Sequence, residues 1–236
     1  MIAEAPGGQL AKTTGKIDTA KLAYEGIRQM LFNNEIVPGQ KISYSFIAER
    51  LNMSLTPIIQ ALNRLEYQGI VHREPNRGYF TEAMSTQEVE EIYDLREVIE
   101  LPLLPLVIKN LDAAAIKKLK SILRTRPSHG SELSLNDRLT IDRDFHSAII
   151  SLSQKKTQLM ILNYLYDLLY LKYHGSLMFV AQKEVVGSQH EIIMEALVSK
   201  DIRKARKAVK DHYKYVKRKA LAALTQMLDE RNLSNI

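Results

Sequence analysis

Asp142 and His146 stand four residues apart in the stretch LTIDRDFHSAIISLS, residues 139–153. On a helix that spacing places a carboxylate and an imidazole one above the other on one face. The same face runs through Leu139, Ile149 and Ile150, the stripe that such a helix buries. Two later stretches repeat the pattern. His190 shares a stripe with Ile193, Met194 and Leu197, and His212 shares one with Ala205, Ala208, Val209 and Val216. Left unpaired inside a helical core, such groups would cost on the order of several kcal/mol. Two arrangements remove that cost. The groups satisfy one another as polar core residues, or one carboxylate and three neutral imidazoles hold a single divalent ion. Zinc suits that donor set best, and nickel, manganese or iron also fit. The remaining histidines read differently. His72 falls in a predicted strand and His129 in a loop, both facing solvent, while His174 in LKYHGS sits at a helix end, bonded to terminal carbonyls or facing the same pocket.

Composition narrows the setting for this chemistry. The chain has 236 residues, 45% of them hydrophobic, which is enough for two compact domains. It contains no cysteine, so disulfides and thiolate metal sites are excluded and a reducing, cytoplasmic compartment is expected. The first residues, MIAEAPGGQLAKTTGK, lack the basic and apolar regions of a secretory signal and read as a disordered arm over 1–16. The longest apolar run, LPLLPLVI, is too short to cross a membrane. The formal net charge is +6. Acidic and basic residues nearly cancel over 17–83, whereas residues 200–219 hold ten Lys/Arg against two Asp. The excess charge therefore lies on one late helix, where a solvated face explains it, and basicity alone says little about nucleic acid.

The elements that must position the polar groups follow from periodicity. DTAKLAYEGIRQMLFNNE predicts a helix with Leu22, Ile27, Met30 and Leu31 inward, and VPGQ with Pro38 and Gly39 predicts a turn. A short helix capped by Ser43 follows, then a second over PIIQALNRLEYQG, with Thr56 as N-cap, Pro57 at its first position and Gly69 as its stop. IVHREPNRGYF carries two β-prone strands around a Pro/Asn/Gly loop. That order is a winged helix-turn-helix over 17–83, whose second helix of the pair enters the DNA major groove. Everything over 84–230 reads as helix. A long one starts at Ser85 or Thr86 and runs to about Asn110, with Pro102 and Pro105 expected to kink or break it. The next is capped by Asp112, and helices near 135–152, 156–173, 181–198 and 201–228 follow, the last capped by Asp201. The predicted fold is mostly α: a winged helix-turn-helix of three helices and a β-hairpin, then an antiparallel six-helix bundle.

With those motifs in view, the chain resembles the GntR superfamily of bacterial transcription regulators, in its FadR-type branch with a helical FCD effector domain. The resemblance rests on VPGQKIS, IAERLNMSLTPIIQALNRLEYQGIV and REPNRGYF, then IYDLREVIE, DRDFH, QHEIIMEAL and ARKAVKDH. It covers about residues 19 to 228. The helical part, about 150 residues long, looks more like the six-helix VanR-like form than the seven-helix one. In metal-binding members the ligands are an Asp, a His four residues later and two later His. The resemblance thus implies a metal held by Asp142, His146, His190 and His212. It further implies a small carboxylate effector on or beside the ion, with Arg96 of LREVIE and Arg143 as basic pocket positions.

One departure matters for DNA. The family motif Val-Ser-Arg-Thr-Pro-Val-Arg-Glu-Ala appears here as MSLTPIIQA, so Leu55 and Ile59 occupy arginine positions, and Ser45 occupies a third on the preceding helix. The expected DNA contacts are then Ser54, Thr56, Gln60, Asn63, Arg64, Arg73 and Arg77, with altered sequence preference and weaker affinity. The function expected is a homodimeric, ligand-responsive repressor or activator bound to a double-stranded operator. Two other readings accompany it. An Asp/His₃ metal site could activate water as a hydrolase, although no separate general base stands at a telling spacing. Alternatively, the chain binds its effector but has lost DNA binding.

Overall fold

The computed structural model describes residues 18–37, 39–82, 85–125, 134–172 and 183–233. The predicted arm over 1–16, His129, His174 and residues 83–84, where the two predicted units meet, fall outside them. Among the described residues the order is α1 (Thr19–Phe32), α2 (Tyr44–Leu51), α3 (Leu55–Tyr67), β1 (Val71–Glu74), β2 (Gly78–Thr81), α4 (Thr86–Asn110), α5 (Ala113–Leu123), α6 (Leu135–Ser151), α7 (Lys156–Asp167), a π-helical turn (Leu168–Lys172), α8 (Lys183–Val198) and α9 (Ile202–Leu233). None of these helices is long and apolar enough to cross a membrane. The predicted winged helix-turn-helix and six-helix bundle are both present.

The N-terminal unit folds around Ile27, Leu31, Ile47, Ile58, Leu62 and Leu65, all buried. Ser43 caps α2 by accepting from the Phe46 amide. α3 begins one residue before the predicted cap: Ser54, not Thr56, is its N-cap, and no side chain closes it. Pro57 therefore lies in the first turn rather than at its first position, where its missing amide still costs nothing. Leu22, expected inward, is exposed. The wing pairs Val71 with Thr81 and Arg73 with Tyr79 in antiparallel register. Gly78 closes it at φ +100°, and a Cβ there would meet the Tyr44 hydroxyl at 2.9 Å, so glycine is required.

α4 is continuous through Pro102 and Pro105, contrary to the predicted break. Both prolines are exposed, while Leu103, Leu104 and Val107 hold the helix against the bundle. Asp112, the Ser134/Asp137 capping box and Asp201 fix the starts of α5, α6 and α9. The helix expected over 156–173 leaves α geometry at Leu168 and finishes as the π-helical turn.

That turn joins the two units. Arg28 of α1 grips Asp167 with two parallel hydrogen bonds of 2.6 and 2.7 Å. Leu171 is buried in the N-terminal core. Tyr164 donates to the Gln68 carbonyl at 2.9 Å, and within the bundle Lys172 ties the turn to the start of α4 through Glu88 at 2.6 Å.

Candidate metal centre and nucleic-acid interface

α6, α8 and α9 each turn one polar stripe inward, and the bundle brings the stripes together. Asp142, His146, His190 and His212 are all buried, and one ligand atom from each lies within 4.8 Å of the others. Asp142 Oδ1 is 3.1 Å from His190 Nε2, 3.5 Å from His212 Nε2 and 3.8 Å from His146 Nε2. His146 Nε2 and His212 Nε2 are 3.3 Å apart. Ligand atoms around an ion with bonds of about 2.0–2.1 Å sit roughly 3–3.4 Å from their neighbours; the Asp142–His190 and His146–His212 pairs have that spacing, and the Asp142 distances to His212 and His146 are longer.

Proton accounting sharpens the fit. His146 Nδ1 lies 2.8 Å from Glu100 Oε2; the tautomer that donates from Nδ1 to this oxygen is the one that leaves the Nε2 lone pair for an ion. His212 Nδ1 faces Gln189 Oε1 at 3.2 Å in the same way. Burial, above all, drives His212 down to about 3, so it is neutral. His190 is also lowered, again chiefly by desolvation. Burial alone would raise the Asp142 carboxyl, but His190, His212, His146 and Arg96 outweigh it and hold it well below the usual range. Asp142 Oδ1 and the Nε2 atoms of His146, His190 and His212 thus converge inside the bundle. Four such groups so close together are a donor set that could hold a divalent cation.

The other Asp142 oxygen is occupied. Oδ2 accepts from Tyr170 at 2.8 Å and from Arg96 at 3.4 Å. Arg96 is fully buried, donates to Tyr166 and lies over the rings of Tyr166, Tyr213 and Tyr93. Its Nε finds no hydrogen-bond partner among the described residues. Arg143 is not brought to this cluster. One residue along a helix is a turn of about 100°, and its guanidinium pairs with Asp144 at 3.0 Å, half-exposed beside a surface cleft that reaches Arg28.

On the N-terminal unit, Ser54, Thr56, Gln60, Asn63 and Arg64 share the exposed face of α3, and Arg73 and Arg77 lie exposed on the wing. The structure divides this set. Asn63 accepts a hydrogen bond from Tyr79, which ties it to the wing. Arg64 stacks over Tyr24 at 3.8 Å, toward α1 and away from the start of α3. Arg77 is paired with Glu74. Ser54, Thr56 and Gln60 remain at the N-terminal half, the part of a recognition helix that meets base edges. His72 is half-exposed, 3.0 Å from Glu82 and stacked on Phe80.

Comparison with known proteins places this architecture. Residues 19–81 match the bacterial regulatory proteins of the gntR family, and residues 91–215, over half the chain, match the FCD domain. The chain is a GntR-family transcriptional regulator. This GntR regulator is 23% identical over 197 residues to the HTH-type transcriptional regulator YdhC of Bacillus subtilis, covering 81% of this chain and 86% of that protein. It is 23% identical over 199 residues to the HTH-type transcriptional repressor GlaR of Escherichia coli, covering 80% and 90%. Among solved structures, E. coli McbR/YncC superposes with a TM-score of 0.72 at 19% identity over 90% of this chain and all of that one. A GntR-type regulator from Rhodococcus gives 0.73 at 19% identity over 88% and 99%. These matches share the fold, and the families and relatives are DNA-binding transcriptional regulators rather than enzymes, which sets the hydrolase reading aside.

Sequence reasoning missed the regulator's outer ring: Glu100, Gln189, Tyr166, Tyr170 and Tyr213. Glu100 receives hydrogen bonds from both His146 and Tyr213 and is fully buried. A signal for it existed. Arg96 and Glu100 are four apart and share a stripe with Leu103 and Val107, the same oddity that exposed Asp142 and His146. No comparable signal marks Gln189, whose role follows from its neighbour His190.

Proposed function

We propose that this regulator senses a small organic acid through a divalent metal held by Asp142, His146, His190 and His212, and that it acts as a homodimer on a double-stranded operator. The observation that carries the reading is the convergence of three imidazole Nε2 atoms and one carboxylate oxygen, two of the imidazoles oriented by outer partners. Zinc fits best, with nickel, manganese or iron as alternatives. A metal with more than four coordination positions would supply an electrophilic seat for a carboxylate oxygen.

Charge supports an anionic effector. Counted formally, Asp142, Glu100 and Arg96 leave the buried centre at −1. A divalent ion brings it to +1 and a monocarboxylate to zero, the balance a low-dielectric interior favours. The partnerless Arg96 Nε is a buried donor that the acid's other oxygen would satisfy.

Coupling to DNA has a physical route in the π-helical turn. Tyr170 bonds the metal ligand Asp142, Asp167 immediately before the turn holds Arg28, and Leu171 is seated in the N-terminal core. A shift of Asp142 on effector binding is thereby passed to α1 through five residues. Dimerisation follows from the few base pairs one recognition helix covers, and the exposed Leu95 and Val98 on α4 offer apolar surface for it.

The test is metal analysis of the purified protein, then titration of candidate hydroxy acids, sugar acids and dicarboxylates into metal-loaded and chelator-stripped samples. Gel shifts on the gene's own upstream DNA complete it. The reading expects about one metal per chain, acid binding only with metal, and an acid-dependent change in DNA affinity that His190→Ala and His212→Ala abolish. Metal-free protein with an unchanged acid response would overturn it.

A further inference from the structure

Leu55 and Ile59 are 48% and 39% exposed on the first two turns of α3. Isolated exposed apolar residues are ordinary. These two are not isolated from function: they lie one helical turn apart on the face that carries Thr56 and Gln60, in the half of the helix that enters a major groove. Leu55 also borders a recess with Lys41, Ser45, Asn76 and Arg77, so cationic side chains flank it on the wing side. An apolar pair framed by cations fits a surface that meets phosphates at its edges and bases at its centre. In the major groove one base-edge feature is apolar, the thymine C5-methyl group.

We infer that Leu55 and Ile59 are base-reading residues that pack against thymine methyl groups, so that this regulator selects thymine at the half-site positions they face. The inference deepens the DNA-binding role the chain has as a GntR regulator and rests on it. Four residues of helix rise about 6 Å, and one base-pair step rises about 3.4 Å. The two methyls therefore lie one or two steps apart in each half-site. Gln60, exposed beside them, has the amide geometry to hold the N6 and N7 edge of adenine. Together these residues define an A·T-rich half-site in place of a guanine-centred one.

The experiment is selection of bound duplexes from a random pool by the full-length protein. Each thymine in the enriched half-site is then replaced singly by uracil, which removes only the methyl group. At the two contacted positions uracil should weaken binding about fourfold, the size expected for one methyl withdrawn from water. Leu55→Ala should erase that penalty at one position and Ile59→Ala at the other, and Leu55→Gln, which keeps bulk, should erase it as well. Selective binding that is insensitive to uracil throughout, or guanine enriched at these positions, would overturn this inference alone. A protein that shows normal melting yet binds no duplex above the salt-screened background would overturn it together with the DNA-binding role.

Discussion

Glu100→Gln is the sharpest probe of the metal centre, because it changes no ligand and almost no volume. Glu100 accepts from His146 Nδ1 at 2.8 Å and from the Tyr213 hydroxyl, so its two oxygens serve two donors. A glutamine has one oxygen for those two donors. If its amide nitrogen faces His146, Nδ1 must become an acceptor, the proton moves to Nε2, and the ligand lone pair is lost. If its oxygen faces His146, the tautomer survives but the negative charge that strengthens the imidazole as a donor is gone. Either way metal affinity should fall. Outer partners of metal-bound histidines are worth about ten- to a hundredfold, which is about 1.4–2.7 kcal/mol. Calorimetric titration of zinc into chelator-stripped protein measures it. Tyr213→Phe, which leaves the carboxylate on His146, should stay much closer to the parent. Glu100→Gln binding metal within about twofold of the parent would refute the claim that the proton on His146 is fixed from outside.

Three other perturbations follow from the same geometry. Stripping the metal from protein held at a hundred times its dissociation constant should remove about 2.7 kcal/mol of stability. That corresponds to a melting temperature lower by roughly 5–10 °C for a chain of this size, and His190→Ala should show no metal-dependent difference in calorimetry. Arg28→Ala cuts both bonds to Asp167. Zinc and acid titrations should be unchanged while the acid-dependent shift in DNA affinity shrinks; a full shift would mean the π-helical turn transmits nothing. Gly78→Ala must hold φ near +100° and push against Tyr44, costing about 1–3 kcal/mol, and denaturant unfolding of the N-terminal unit reads that loss directly.

Much of this was legible because a helix converts spacing into direction. Asp142 with His146, then His190 and His212, announced themselves as polar interruptions of apolar stripes, and the bundle that unites them follows from short loops and periodicity. Boundaries were less legible. Ser54 and Thr56 are both good caps, and the backbone rather than the hydroxyl decides between them. Arg143, a pocket position that the resemblance implied, stands apart from the cluster because the residue after a buried Asp142 points a helical side chain elsewhere. The prolines of α4 were expected to kink or locally break the helix; it is not broken, because their placement on its exposed side, which makes them tolerable, depends on which side the rest of the bundle covers. The π-helical turn has no residue signature at all. Asp167, Tyr170 and Leu171, at and just before it, have partners that lie far away in sequence.

Leu171 has a consequence for how such proteins are taken apart and rebuilt. Its side chain belongs to the core of the neighbouring unit. A fragment ending near residue 82 would keep the winged motif but open a socket sized for a leucine, a vacancy of the kind that costs about 2–5 kcal/mol when it cannot collapse. The DNA-reading head is therefore not a freely exchangeable module. A chimera that grafts it onto another sensor inherits a missing plug, and grafting succeeds only where the new sensor offers a hydrophobic peg at the same place.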